Sequence, residues 1–425
     1  MKEKFDVTPE LLKKSFIEVY GDKINGTGAS AGTSGGEIRM FASPARINII
    51  GEHIDYNGGM VFPAAIDKYL YCAIRKRNDT KIVYNDLFFD GTYTFDINDD
   101  FKFDPANDYA NFLNGIMSCM KKRGLVFPCG FDCLIASNVP SAGGISSSSA
   151  LECGFAWAVS ETFGFNISRK DIALMGQQSE HEFMNVNCGI MDQYIIATGK
   201  KDTAELLDCA KIEHEYVPLN LGNYRFIVMN TKKKRRLADS KYNERRTQCE
   251  EGLATLKAAA INLTVDTSSA NAHGKITNTK DLPDLCSLTP AQFEECKDAI
   301  KDQVILRRVR HCVTEMDRVL KAVDALKANN LNELGKLLYA SHNSLRDDYE
   351  VTGLELDTLV DVASKQEGCI GARMTGAGFG GCAIALVHKD KTEDFIQNVQ
   401  KEYTKVVGYE GGFFACSSGD GVREI

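Results

Sequence analysis

The stretch Ser43-Pro44-Ala45-Arg46-Ile47-Asn48-Ile49-Ile50-Gly51-Glu52-His53-Ile54-Asp55-Tyr56-Asn57-Gly58-Gly59 decides how the chain reads. An apolar, strand-like run carries Arg46, a cation set among residues that ask to be buried. The run then breaks at Gly51 into a glycine-bounded turn holding Glu52, His53, Asp55, Tyr56 and Asn57. So many donors and acceptors in one small turn suit a polyhydroxylated ligand such as a sugar.

A second signal is Val139-Pro140-Ser141-Ala142-Gly143-Gly144-Ile145-Ser146-Ser147-Ser148-Ser149-Ala150-Leu151-Glu152. A strand ends, glycines turn the chain, and a serine run opens a helix. Glycines let backbone N–H groups approach an anion, and the helix start adds partial positive charge. A phosphate chain fits there, with a serine hydroxyl in reach of Mg²⁺. Taken alone, the motif reads more readily as a capped helix after an ordinary turn.

A third glycine cluster, Gly371-Ala372-Arg373-Met374-Thr375-Gly376-Ala377-Gly378-Phe379-Gly380-Gly381, contains the dinucleotide fingerprint spacing. That fingerprint needs a strand before it and a helix after it. Here Cys382–Val387 follows and reads as a strand, so a dinucleotide site is excluded. No Gly-Lys-Ser/Thr occurs, so there is no Walker loop either.

Taken in order, these motifs resemble those of the galactokinases, within the GHMP kinase superfamily. The usual family pattern has Gly where this chain has Ala45 and Thr where it has Ile54. Gly189-Ile190-Met191-Asp192-Gln193 is the run in which galactokinases place their base, although a lone Asp in a loop is more often a turn residue. The resemblance implies that Asp192 takes the proton of the attacking sugar hydroxyl and that Arg46 stabilises the transferring phosphoryl group. It implies Glu52, His53, Ile54, Asp55, Gly189 and Tyr242 at the sugar. It implies Ala142, Gly143, Gly144, Ile145, Ser146, Ser147 and Ser148 around the ATP phosphates, with Ser148 and Glu180 on Mg²⁺. Tyr109 and Phe112 stand where family members put aromatics near adenine, and core packing explains them almost as well.

The implied activity is transfer of the ATP γ-phosphate to the anomeric hydroxyl of galactose. Rivals are a related sugar 1-kinase, such as one for N-acetylgalactosamine, and a noncatalytic galactose sensor. The implied fold is α+β: two domains, residues 1–218 and 219–425, with the site in the cleft between them.

Bulk properties agree. The 425 residues are 44% hydrophobic and 25% charged, an ordinary globular mix. The net charge of −8 argues against nucleic acid and anionic membranes as partners. No apolar run approaches the roughly 18 residues of a membrane helix, and the start of the chain lacks a secretory core. Fourteen cysteines without a Cys-x-x-Cys pair read as reduced, mostly buried thiols of a cytoplasmic protein, here taken as a monomer. Lys232-Lys233-Lys234-Arg235-Arg236 reads as a solvated basic face.

Thr8-Pro9 predicts a helix start with Gly21 past its end. Further predicted helices cover Ser147–Phe163, Ser168–Met184, Asp239–Ala260, Leu306–Lys327, Leu331–Arg346, Gly353–Lys365 and Thr392–Val406. Predicted strands cover Ile38–Ile50, Leu70–Lys76, part of Val83–Phe103, Phe131–Ser137, Ala383–Val387 and Gly412–Ala415. Residues 27–36 read as a mobile surface loop and 264–284 as an exposed excursion.

Overall fold

The computed structural model describes residues 7–21, 36–139, 144–233, 238–265 and 275–425. The predicted loop at 27–36 falls almost entirely outside them, as do Ala142, Gly143 and most of the basic run. Helix α1 (Pro9–Tyr20) starts at Thr8, whose hydroxyl accepts from the Leu11 N–H, with Pro9 at the first turn where no N–H is needed. It packs Leu12 and Phe16 under the first sheet.

That sheet takes β1 (Arg39–Asn48), β3 (Pro63–Lys76), β4 (Lys81–Asp86), β5 (Thr92–Asp96) and β6 (Phe131–Ser137), with β2 (Met60–Val61) branching to a smaller sheet. Its strand order is β13-β1-β3-β6-β4-β5, where β13 (Arg423–Glu424) is the chain's own C-terminal tail returning to β1. Only β4 and β6 pair in parallel among the described ladders. Strand β1 is buried along its last eight residues and reads as a continuous apolar run for that reason.

Helices α2 (Ala110–Lys122), α3 (Ser147–Phe163), α4 (Arg169–Glu182) and α5 (Met191–Thr198) cover one region of this sheet, α3 lying on β1 and β3. The bounds of α3 match the sequence expectation, and Ser168 caps α4 by accepting from the Asp171 N–H at 3.1 Å. Strands β7 (Thr203–Asp208) and β8 (Glu213–Pro218) complete the three-stranded sheet β2-β7-β8.

The second half of the chain builds an antiparallel sheet of order β10-β11-β9-β12. Its strands are β9 (Tyr224–Asn230), β10 (Cys369–Thr375), β11 (Cys382–His388) and β12 (Gly412–Cys416). On it pack α9 (Leu331–Ser344), α10 (Leu354–Ala363) and α11 (Thr392–Val407); α8 (Gln303–Lys327) packs on α9, and α6 (Ala238–Ala259) and α7 (Pro290–Cys296) pack on α8. One buried cluster runs from Ile47 and Ile49 through Val319 and Leu338 to Ile384, so both halves share a core.

Three expectations change. Asp192 is not in a loop but in the first turn of α5. The expected exposed excursion at 264–284 is packed at its end, where Thr279 and Leu282 are fully buried. The third glycine motif is strand β10 as far as Thr375 and a loop only from Gly376 to Gly381. All 14 cysteines are free, and all but Cys129, Cys188, Cys209 and Cys369 are buried. No helix among the described residues is long and apolar enough to cross a membrane.

Candidate active site

Strand β1 delivers Arg46. A register shift between Pro44 and Ala45 interrupts its ladder with β3, and such bulges re-aim the side chains that follow. Arg46 is 3% exposed. Its Nε and one terminal nitrogen donate to the two carboxylate oxygens of Asp192, both at 2.7 Å, and its other terminal nitrogen donates to the Gly144 carbonyl at 3.0 Å. This fork geometry fixes the orientation of the Asp192 carboxylate.

Asp192 also accepts from the Ser146 hydroxyl. Ser146 is the N-cap of α3, yet it sits at φ 61° and its hydroxyl caps nothing. The Ser146 hydroxyl is thereby withheld from the first N–H groups of α3, at the point where the serine run begins. Ser148 and Glu180 line the same cavity as Arg46 and Asp192. Glu180 comes from α4 and is buried rather than a solvated helix charge. Glu152, one turn after Ser148, lies wholly buried beside it. Burial first, then the Glu180 charge, push its carboxyl well above the ordinary range.

The turn after β1 supplies the other wall. Glu52, 1% exposed, pairs with Arg373 from β10. It also accepts from Asn48 Nδ2 at 2.9 Å, the Thr375 hydroxyl at 3.2 Å and the Gly376 N–H at 2.8 Å. Burial raises its carboxyl, and Arg373 pulls the other way. Glu315 of α8 joins this network: it accepts from the Gly51 N–H and the Ser341 hydroxyl, and the nearby Arg318 and Arg373 help hold it at about 2 despite its burial.

Asp55 has a different environment. Burial, then the Asp192 charge, push it up to about 7. It nests against Gly189, where any Cβ would overlap its carboxylate. Only glycine lets the loop before α5 come that close. Gly376, at φ +83°, plays the same part opposite, where a Cβ would stand 2.7 Å from the Gly144 carbonyl.

The cavity enclosed by these groups measures about 180 Å³. That is below the ~300 Å³ at which drug-sized pockets begin, and it suits a small polar ligand. Tyr242 of α6 closes one side, its ring 5.4 Å from that of His53.

Of the residues expected from sequence, Arg46, Glu52, His53, Asp55, Ser148, Glu180, Gly189, Asp192 and Tyr242 line one cavity. Gly144 and Ser146 join it through Arg46 and Asp192. Ser147 sits in the first turn of α3 and is exposed, while Ile145 is buried and its carbonyl accepts from the Arg46 N–H. Ile54 does not line the cavity: it is fully buried against Gly59, so a hydrocarbon there packs the core beneath the turn. Tyr109 is buried against Phe89 and Tyr93, as its packing alternative requires. Tyr56 was legible only as one polar member of the turn, and the roles of Arg373, Glu315 and Tyr349 were not legible in the sequence. The Gly-x-Arg start of the third motif was the one available sign of Arg373.

A phosphate-ready helix start, an Arg–Asp pair and a polar sugar-sized cavity between two α+β halves define a kinase of the GHMP class. The family of GHMP kinase N-terminal domains matches residues 111–200, and that of GHMP kinase C-terminal domains matches 322–405. The galactokinase galactose-binding signature matches residues 29–76.

A galactokinase of Clostridium perfringens is 46% identical over 416 residues, covering 97% of this chain and 99% of its own. A galactokinase of Clostridium acetobutylicum is 44% identical over 388 residues, covering 91% and 94%. The galactose-bound galactokinase of Lactococcus lactis superposes with a TM-score of 0.88 at 38% identity, covering 98% and 99%. A mevalonate kinase, 20% identical with a TM-score of 0.60 over 89% of this chain, shares the fold. The chain belongs to the galactokinase family.

Proposed function

We propose that the protein transfers the γ-phosphate of ATP to the anomeric hydroxyl of α-D-galactose, giving galactose 1-phosphate and ADP. The observation that carries this is the two-pronged Arg46–Asp192 pair beside the Glu52–Asp55 turn in one cavity. The anomeric oxygen attacks the γ-phosphorus as the bond to the β,γ-bridging oxygen breaks, and ADP leaves with that electron pair. The proton of the hydroxyl passes to an Asp192 oxygen. Charge in such a loose transition state is spread over the phosphoryl oxygens, so positioning and electrostatics do most of the work. Arg46 supplies both, holding Asp192 in line and adding positive charge nearby.

Ser147, Ser148 and Ser149 offer uncapped N–H groups for the phosphates, and we assign Ala142 and Gly143 to the same loop. A hydroxyl and a carboxylate are hard oxygen donors that suit Mg²⁺. Ser148 and Glu180 would hold it, and when bound it neutralises charge on the phosphate oxygens. Glu52, His53, Asp55, Gly189 and Tyr242 are assigned to the sugar, with Gly189 there to admit Asp55.

The proposal includes two domains divided near residue 218, with the last residues returning to the first sheet. It also includes a monomer in a reducing, cytoplasmic setting, in keeping with 14 free thiols. Sedimentation tests the monomer.

The deciding test is ADP release with MgATP against galactose, N-acetylgalactosamine, arabinose, glucose, galacturonate and no sugar. Strong turnover with galactose is expected. Turnover only with another sugar overturns the substrate. Tight binding of galactose and ATP without turnover makes the protein a sensor.

A further inference from the structure

His53 is the least explained residue of the sugar wall. It sits at φ 63°, a left-handed backbone that non-glycine residues rarely adopt. Its ring is 4% exposed and lines the cavity, and its Nε2 has no hydrogen-bond partner. Its Nδ1 lies 2.7 Å from the Tyr56 hydroxyl, which is 3.0 Å from the Tyr349 hydroxyl, which is 3.1 Å from the Cys249 sulfur. The turn, the π-helical residues Leu345–Tyr349 and α6 therefore meet in one chain of hydroxyls behind the ring.

We propose that Tyr56 and Tyr349 are positioning residues for sugar recognition: their linked hydroxyls hold His53 as the tautomer that offers an Nε2–H to an oxygen of the bound sugar. This rests on the sugar-kinase reading of the cavity.

Burial lowers the basicity of His53 to about 3, so the ring is neutral and carries one N–H. Two orders of donation are then available. In the first, the Tyr56 O–H donates to Nδ1, the Tyr349 O–H donates to the Tyr56 oxygen, and the Cys249 thiol donates to the Tyr349 oxygen. Each hydroxyl gives once and receives once, and the N–H is left at Nε2. In the second, Nδ1–H donates to Tyr56, Tyr56 to Tyr349, and Tyr349 to a sulfur, a weak acceptor. Nε2 would then present a lone pair.

The geometry favours the first order. The basic nitrogen of imidazole accepts from a phenol more strongly than another phenol oxygen does, and the second order would end the chain on a sulfur at 3.1 Å, a poor acceptor. The hydrogen is then left at Nε2, which is free to donate to a sugar oxygen.

Tyr349 is built to hold its place. It is fully buried, its carbonyl accepts from Arg245 Nε at 2.7 Å, and its ring packs 4.5 Å from that of His311. His311 needs no help with its own tautomer. Its Nε2 faces the Glu52 carbonyl at 3.1 Å and must carry the hydrogen, leaving Nδ1 to accept from Ser344.

The test is the tautomer itself. Long-range proton–nitrogen correlation on the full-length protein labelled with ¹⁵N-histidine reports which ring nitrogen of each histidine carries hydrogen. His53 is identified by difference against His53→Asn. In the unsubstituted protein His53 should be bare at Nδ1 and protonated at Nε2. Protonation at Nδ1 overturns the proposal without any variant being made.

In Tyr56→Phe the tautomers should mix, and KM for galactose should rise about tenfold, the scale of one misdirected hydrogen bond, with kcat and KM for ATP within about twofold. Tyr349→Phe should move both readouts in the same direction by less. An unchanged tautomer and unchanged galactose KM in Tyr56→Phe would overturn the proposal, because a merely structural tyrosine would leave the nitrogen signals where they were. A protein with the expected tautomer but no galactose turnover supports the hydroxyl chain and defeats the substrate reading instead.

Discussion

The two ends of the cavity are built on opposite terms. At the end we assign to the sugar, Glu52 is held by Arg373, Asn48, Thr375 and Gly376, and Glu315 supports the layer behind it. At the end we assign to the phosphates, the N-cap of α3 turns its hydroxyl to Asp192 and not to its own helix start. A sugar is neutral and must be read by fixed donors and acceptors, so rigidity is worth more there. A phosphate chain brings its own charge, and unpaired N–H groups serve it best. Arg46 and Asp192 stand where the two terms meet.

The comparison breaks most completely at that meeting point. Asp192→Ala should reduce kcat by at least about 10²-fold, the low end for a lost general base, while galactose still binds. Near-normal turnover in single-turnover assays would remove Asp192 from the mechanism. Arg46→Ala should fall in the same range, since it frees the carboxylate and removes the positive charge together.

Next comes the fit at the sugar end. A methyl group at Gly189 would overlap the Asp55 carboxylate. Gly189→Ala should therefore raise KM for galactose by roughly 10²-fold, the scale of an ångström-sized misplacement in a preorganised site, and leave KM for ATP near its normal value. Equal losses for both substrates would mean that the two ends are not separate.

A smaller and graded effect is expected from pH. Asp55 is raised to about 7 by burial and by Asp192. A carboxylate accepts sugar hydroxyls at both oxygens, and its protonated form gives one position up. Galactose kcat/KM should hold above pH 7 and fall about tenfold per unit below it. Asp55→Asn should abolish that limb at a low constant value. The sign for stability runs the other way: an acid raised above its ordinary 3.8 stabilises the fold fully below that pH, and the contribution fades as pH rises through about 7. Thermal melts of Asp55→Asn, flatter between pH 4 and 7 than those of the unsubstituted protein, would separate the two effects.

How far the sequence carried follows the same division. Elements with local signals were legible: α1 from Thr8-Pro9, α3 from its opening serine run to Phe163, and β6 from its alternation. So was the first layer of the site, because its residues cluster in motifs. What stayed hidden is what folding brings from far away. Arg373 reaches Glu52 across 321 positions, and Tyr349 reaches Tyr56 across 293. No local pattern marks such partners, since each sits in an ordinary apolar strand or helix end. The short helix α5 was hidden too, because eight residues between loops give too little periodicity to distinguish a helix from the loop first assumed around Asp192.

The smallest effect probes the phosphate end alone. Ser146 holds φ 61°, a conformation that costs an L-residue about 1 kcal/mol and glycine almost nothing. On stability alone glycine is the better residue, and among the described residues the return for that strain is the hydroxyl given to Asp192. Ser146→Gly should thus leave the protein as stable or slightly more so, with kcat lowered only several-fold, because Arg46 still holds both Asp192 oxygens. Ser146→Ala should lose the same activity and gain no stability. If the two variants melt alike and turn over like the unsubstituted protein, the serine is kept for neither purpose, and the contrast between a locked sugar wall and an open phosphate wall would have to be drawn without it.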